Sequence, residues 1–182
     1  MLNQPEIKQE KLELDFTRVL VVDDMPDNRM LMKLIFKNTS YNLTIASSAP
    51  EALEKAQTEL PVLIVSDIQM PTISGLDLLE NLKADDRTKD IAVILVTAHY
   101  RDSRQVSKGL TLGADDYIQR PFMPDEFLSR VDAVVRAKRA EGEARLQAHT
   151  VTQQNRALAL VNELALAVNS SLDIRVVTSL AV

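Results

Sequence analysis

Val62–Pro71 reads VLIVSDIQMP: four aliphatic residues, a serine, an aspartate and, four residues on, a proline. A short continuous apolar run bounded by polar and turn residues suits a strand covered on both faces. Comparable runs flank it, RVLVV at 18–22 and IAVILV at 91–96, with shorter candidates at 43–46 and 117–118. Longer stretches at 27–38, 50–59, 76–84 and 102–112, and one beginning at Pro124, read as helices. In the first of these, Met30, Leu31, Leu34 and Ile35 recur at helical spacing and predict one apolar face. Pro50 and Pro124 stand where a first helical turn tolerates proline. Five strands alternating with five helices predict an α/β fold on a parallel sheet with right-handed crossovers.

In such sheets the functional crevice lies beyond the C-terminal strand ends, where strand order reverses. Asp23 and Asp24 follow the first strand, Asp67 the third, Thr97 the fourth and Arg120 the fifth. Four strand ends thus deliver three carboxylates, a hydroxyl and a cation to one edge. Three carboxylates in one crevice raise each other's pKa unless a cation offsets them. A hard divalent ion with oxygen ligands does so, and magnesium fits because it uses one or two carboxylates and accepts phosphate oxygens. One carboxylate can then attack phosphorus, with Thr97 donating to a phosphoryl oxygen and Arg120 holding another. Singly, an Asp-Asp pair after a strand is ordinary loop charge and a threonine ending a strand is ordinary β propensity. Their joint spacing carries the inference.

VLVVDD at 19–24, IVSDIQMP at 64–71, Gly75, VILVTA at 93–98 and GADDYIQRPF at 113–122 stand in order and at matching separations. Together they resemble the signature blocks of the receiver domain of two-component response regulators, over about residues 17–137. The resemblance implies a flavodoxin-like, doubly wound, five-stranded parallel sheet. It implies Asp67 as phosphoacceptor, with Asp24 and Asp67 binding magnesium directly, Asp23 through water and Gln69 through its backbone carbonyl. It makes Thr97 the switch hydroxyl and Tyr117 the aromatic whose burial follows it, and it places a cis peptide bond before Pro121, where the X-Pro linkage makes that form accessible. The implied phosphoryl donor is a histidine kinase or phosphotransfer protein.

One position departs from the family, which has lysine where this chain has Arg120. Arginine keeps the charge but is larger, planar and forked, so the exchange is not conservative. Either Arg120 clamps the phosphoryl group in a retuned switch, or it pairs with Asp67 or Asp24 and weakens magnesium binding. Gln69 and His99 lie two residues beyond Asp67 and Thr97, where the family places side chains that modulate dephosphorylation. A lone histidine is more often a solvated loop residue, and His99 is assigned no catalytic role.

From Asp125 to Ser170 there is no proline and one glycine, Gly142. A helix of that length would extend for roughly 70 Å. Phe127, Leu128, Val131, Val134 and Val135 can pack on the sheet. Leu146, Thr150, Gln153, Ala157, Leu160, Leu164 and Ala167 follow alternating steps of four and three, a coiled-coil seam with a polar centre that predicts a homodimer. A solvated helix or loose hairpin is the alternative. LVNELALAVNSSLDIRVVTSL at 160–180 resembles the lead-in to a GAF domain; it also reads as a plain helix ending at 169–171. The expected division is a tail at 1–16, a receiver domain at 17–137, a helical linker at 138–170, and the start of a further domain or a frayed end at 171–182.

Composition narrows the remaining classes. The chain has 182 residues and a net charge of −5. Residues 125–182 balance seven acidic against seven basic side chains, so the excess negative charge lies before them. That argues against direct nucleic-acid binding, which needs clustered Lys and Arg. With no cysteine, no run of 18 apolar residues and a polar N-terminus, the expected setting is the cytoplasm, without disulfides or a membrane span. Two rival functions stand beside the phosphoacceptor. One is a pseudo-receiver that never takes phosphate and serves as a constitutive dimerisation module. The other is a haloacid dehalogenase-type phosphatase, disfavoured because Gln69 stands where its second aspartate would be.

Overall fold

The computed structural model describes residues 15–97 and 108–179, with backbone alone at Phe16 and over 161–179. Most of the expected tail, His99 and most of the expected fourth helix lie outside the described residues. Strand β1 is Asp15–Val22, β2 Asn42–Ala46, β3 Pro61–Asp67, β4 Ala92–Thr97 and β5 Asp116–Gln119. Helix α1 is Pro26–Phe36, α2 Ala49–Glu59 and α3 Gly75–Ala84. Helical residues 108–111 form α4, and α5 is Pro124–Ser179. All strand pairs are parallel, in the order β2-β1-β3-β4-β5. β1 neighbours both β2 and β3, so strand order reverses beside it and the crevice falls between the ends of β1 and β3.

Side chains alternate across the sheet and divide the core in two. Leu20, Val22, Ile64, Val93 and Leu95 pack with Ala49, Ala52 and Ala56 of α2 and Leu76, Leu78, Leu79 and Leu82 of α3. Val19, Val21, Leu63, Val65, Ile94, Val96 and Ile118 pack with Met32 and Phe36 of α1 and Phe127, Val131, Val134 and Val135 of α5. Phe36 meets Phe127 edge-on at 5.8 Å, and Phe122 stacks on Phe127 at 5.0 Å. The two-sided burial expected of the central strands is present.

Three sequence expectations differ. The face of α1 turned to the core carries Met32 and Phe36, whereas Met30, Leu31 and Leu34 are 56%, 45% and 58% exposed. Of the expected apolar face only Ile35 packs against the core, because the buried stripe runs one step away through positions 32 and 36. β1 begins at Asp15, so the last two residues of the expected tail belong to the sheet. In α5, helix continues through Asn169–Ser171 to Ser179. Capping side chains there do not end a helix whose neighbours favour it.

The chain divides into two units, Met1–Arg139 and Ala140–Val182. The first holds the sheet and both core clusters. The second is helical through Ser179, and its Leu146, Val151, Leu158 and Leu160 are exposed. No helix among the described residues is long and apolar enough to cross a membrane.

Candidate functional site

β1 ends at Val22 and delivers Asp23 and Asp24 to the crevice. Asp23 is 1% exposed, and its carboxylate is tightly engaged. Its Oδ1 accepts from the Met25 N–H at 2.9 Å and from Asn28 Nδ2 at 3.0 Å. Arg29 Nη1 donates to the backbone carbonyls of Asp23 and Asp24, each at 2.7 Å, and so holds the turn that presents both acids. Asn28 and Arg29 were not singled out from the sequence. The available signal was their place one turn into a helix that follows an acidic pair.

Asp67 is the last residue of β3. The Ile68 N–H donates to the Val96 carbonyl, and the Gly75 N–H to the Ile68 carbonyl, both at 3.0 Å. A Cβ at Gly75 would stand 2.1 Å from the Asp67 carbonyl oxygen, so α3 starts against the backbone of Asp67 at a distance only glycine permits. Ser74 caps α3 reciprocally with Asp77. Asp67 Oδ1 accepts from the Gln69 N–H at 2.9 Å. Burial, the largest influence, pushes the Asp67 carboxyl above the usual carboxylate range, and Asp23 and Asp24 push the same way. The Gln69 N–H and the Arg120 guanidinium pull it down without cancelling the rise.

Thr97 ends β4, fully buried, and its carbonyl accepts from the Arg120 N–H at 2.7 Å. Tyr117 is half-buried and packs against the α2–α3 core cluster. The Arg120–Pro121 peptide is cis, as the sequence resemblance implied. The Arg120 guanidinium straddles two acids, Nη1 to Asp67 Oδ2 at 2.9 Å and Nη2 to Asp23 Oδ2 at 2.7 Å. The pairing weighed from sequence, with Asp67 or Asp24, is thus met for Asp67, and the second partner is Asp23. Asp24 lines an open cleft of about 500 Å³ with Gln69, Met70, Pro71 and Ser74.

An all-oxygen donor set of carboxylates beside a backbone carbonyl suits magnesium in its chemistry. The arrangement is nonetheless set by Arg120, which takes one oxygen from each of two carboxylates. Among the described residues no three acidic or imidazole side chains converge closely enough to hold a metal ion.

The family model described as response regulator receiver domain matches residues 19–132. The alkaline phosphatase synthesis transcriptional regulatory protein PhoP of Bacillus subtilis is 36% identical over 119 residues, 65% of this chain and 48% of that protein. The phosphate regulon transcriptional regulatory protein PhoB of Escherichia coli is 34% identical over 119 residues, 65% of this chain and 52% of that protein. The chain therefore spans about half the length of these curated relatives. Among solved structures, a CheY-like receiver domain protein from Methanospirillum hungatei superposes with a TM-score of 0.64 at 29% identity, covering 70% of this chain and 99% of that one. The receiver domain of a histidine kinase from Syntrophus aciditrophicus gives 0.61 at 31%, covering 66% and 91%. Fold, strand-end acids and family match agree: the chain belongs to the response regulator receiver family of two-component signalling.

Proposed function

We propose that Asp67 accepts a phosphoryl group from a histidine kinase or phosphotransfer protein, and that the change passes along α5 to an output domain. The single observation that carries this reading is the placement of Asp67 at the β3 end, beside Asp23, Asp24 and Arg120 at the reversal of strand order. A carboxylate oxygen of Asp67 forms the new O–P bond as the donor's N–P bond breaks. The Gln69 N–H fixes the carboxylate's orientation, and Arg120 offsets charge on the transferred group. Thr97 then donates to a phosphoryl oxygen, and Tyr117 follows into the space it leaves. Magnesium, held by Asp24 and Asp67 directly, by Asp23 through water and by the Gln69 carbonyl, would supply the remaining charge neutralisation.

The movement biases one of two packings of α4, β5 and α5, a shift of population between states. Residues 17–137 act as the receiver and 138–170 as a linker pairing two copies of the chain through Leu146, Leu160 and their neighbours at the same spacing. Residues 171–182 are either the start of a further domain or a frayed end. PhoP and PhoB are transcriptional regulators by name, but the balanced charge of 125–182 favours an output that does not read nucleic acid within this chain. The protein acts in the cytoplasm.

The test is acetyl phosphate treatment read on phosphate-affinity gels. The full chain should shift and Asp67→Asn should not; equal migration of both would sink the proposal. A second reading has its own support. The Arg120 bridge engages Asp67 and Asp23 together, which suits a constitutive interaction module that takes no phosphate.

A further inference from the structure

At the sheet edge opposite Asp67 lies a second cavity, of about 240 Å³, lined by Thr17 near the start of β1, Ser40 and Tyr41 just beyond α1, and Asp132, Arg136 and Arg139 of α5. Thr17 stands six residues before Asp23, so roughly 20 Å of strand separates this cavity from the acidic crevice. Arg136 and Arg139 are three residues apart, where helix side chains are neighbours and like charges repel. Both guanidiniums act on the charge of the Tyr41 phenol, so both lie close to that ring. The acid placed to neutralise them is occupied. Asp132 precedes Arg136 by one turn, the spacing of a helical ion pair, yet its Oδ1 accepts from the Tyr41 hydroxyl at 2.7 Å. Arg136 makes no ion pair or hydrogen bond among the described residues. Asp15 is taken as well, by the Thr17 N–H at 2.9 Å and the Thr17 hydroxyl at 2.7 Å.

We propose that this cavity binds a small anion bearing a phosphate group, and that the bound anion fastens the lower turns of α5 to β1 and to the chain leaving α1. Two guanidiniums match the double charge and three terminal oxygens of a phosphate better than the single charge of a carboxylate. Tyr41 and Thr17 have already given their hydroxyl protons to Asp132 and Asp15. The anion's oxygens therefore fall to Arg136, Arg139 and the Ser40 hydroxyl. Size limits the ligand, because drug-sized molecules occupy about 300–1,000 Å³ and this cavity is smaller. Val135 and the Tyr41 ring add an apolar wall that suits a short carbon body. Arg139 is the last residue of the first unit, so an anion held here acts on the final turn of α5 within the receiver. The cavity shares no residue with the acidic crevice, and binding in it is independent of whether Asp67 accepts phosphorus.

The experiment titrates sodium phosphate and glycerol phosphate separately into the full chain, at constant ionic strength and above the second phosphate pKa of about 6. EDTA is present, so that no divalent ion recruits either anion to the Asp67 crevice. Binding is read from the amide shifts of Ser40, Tyr41 and Arg136, which should saturate while the Gln69 amide stays unmoved. Arg136→Gln should weaken binding roughly tenfold, the loss of one charge-assisted contact. Arg136→Lys should weaken it less, because the charge remains and only the fork is lost. Arg136 is exposed, so these changes leave the core intact. Tyr41→Phe is the sharper variant, since it alters no formal charge and keeps the ring's edge contact with Phe36. It releases Asp132 to pair with Arg136 and should weaken binding several-fold, whereas diffuse attraction to basic side chains would be untouched. Equal affinity for the two anions assigns the cavity to phosphate itself, and tighter binding of the ester assigns it to a phosphorylated metabolite; each upholds the proposal. Shifts that rise without saturating in the unsubstituted chain, or an affinity unchanged in Arg136→Gln or in Tyr41→Phe, overturn it. Hydrogen exchange at the Arg136 and Arg139 amides should slow at saturation, and exchange that stays the same overturns the fastening of α5.

Discussion

Replacing Gly75 by alanine tests whether α3 is seated on the backbone of the proposed phosphoacceptor. The added methyl would fall 2.1 Å from the Asp67 carbonyl oxygen and 3.0 Å from both the Asp67 carbonyl carbon and the Ile68 Cα, where ordinary contact begins at 3.4 Å. All three are backbone atoms, so no rotamer change relieves the overlap, and α3 must retreat from β3 by about an ångström or more. Overpacking of this kind costs about 1–3 kcal/mol. The retreat also stretches the Gly75 N–H bond to the Ile68 carbonyl, which adds about 1 kcal/mol. A loss of about 2–4 kcal/mol lowers the melting temperature of a domain this size by roughly 10 °C. Scanning calorimetry measures it directly, and the Gln69 amide shift shows whether the Asp67 loop has moved. A melting temperature within about 2 °C of wild type, with the Gln69 amide unmoved, would refute the steric reasoning.

Two further expectations lie away from that contact. Arg29→Gln should release the Asp23 and Asp24 carbonyls, lowering stability by about 1–2 kcal/mol and speeding hydrogen exchange at the Met25 amide; unchanged exchange there would show that the turn holds itself. Tyr41 donates to Asp132 Oδ1 at 2.7 Å, and burial first, then that partner, push its phenol up to about 12. Because the folded pKa lies above the ordinary value of 10.0, the folded state keeps its proton longer. This stabilisation is therefore fully present below pH 10 and lost as pH rises through about 12. Urea midpoints measured from pH 9 upward should fall more steeply for wild type than for Tyr41→Phe, and parallel slopes would contradict the assignment.

The sheet was legible because β3 and β4 are buried on both faces, which leaves nearly unbroken aliphatic runs in the sequence. The acids were legible because each follows such a run directly. Less legible were features decided by partners distant in sequence. The choice between the two stripes of α1 depends on where α5 and the sheet lie, and both stripes carry methionine and other large apolar residues. That Arg120 would reach Asp23 as well as Asp67 depends on a guanidinium spanning from β5 to β1 past the end of β3. Asn28 and Arg29 were missed because a polar helix start is what solvent exposure alone also produces. The end expected for α5 at 169–171 followed local capping preference, which a long helix of good formers overrides.

The two-sided core has a consequence for β5. Tyr117 belongs to the layer shared with α2 and α3, while its neighbour Ile118 belongs to the layer shared with α1 and α5. Consecutive residues of a four-residue strand therefore grip opposite sides of the molecule. A tilt that sank the tyrosine ring would lift the isoleucine by the same motion, so the two core layers are mechanically tied through this short strand.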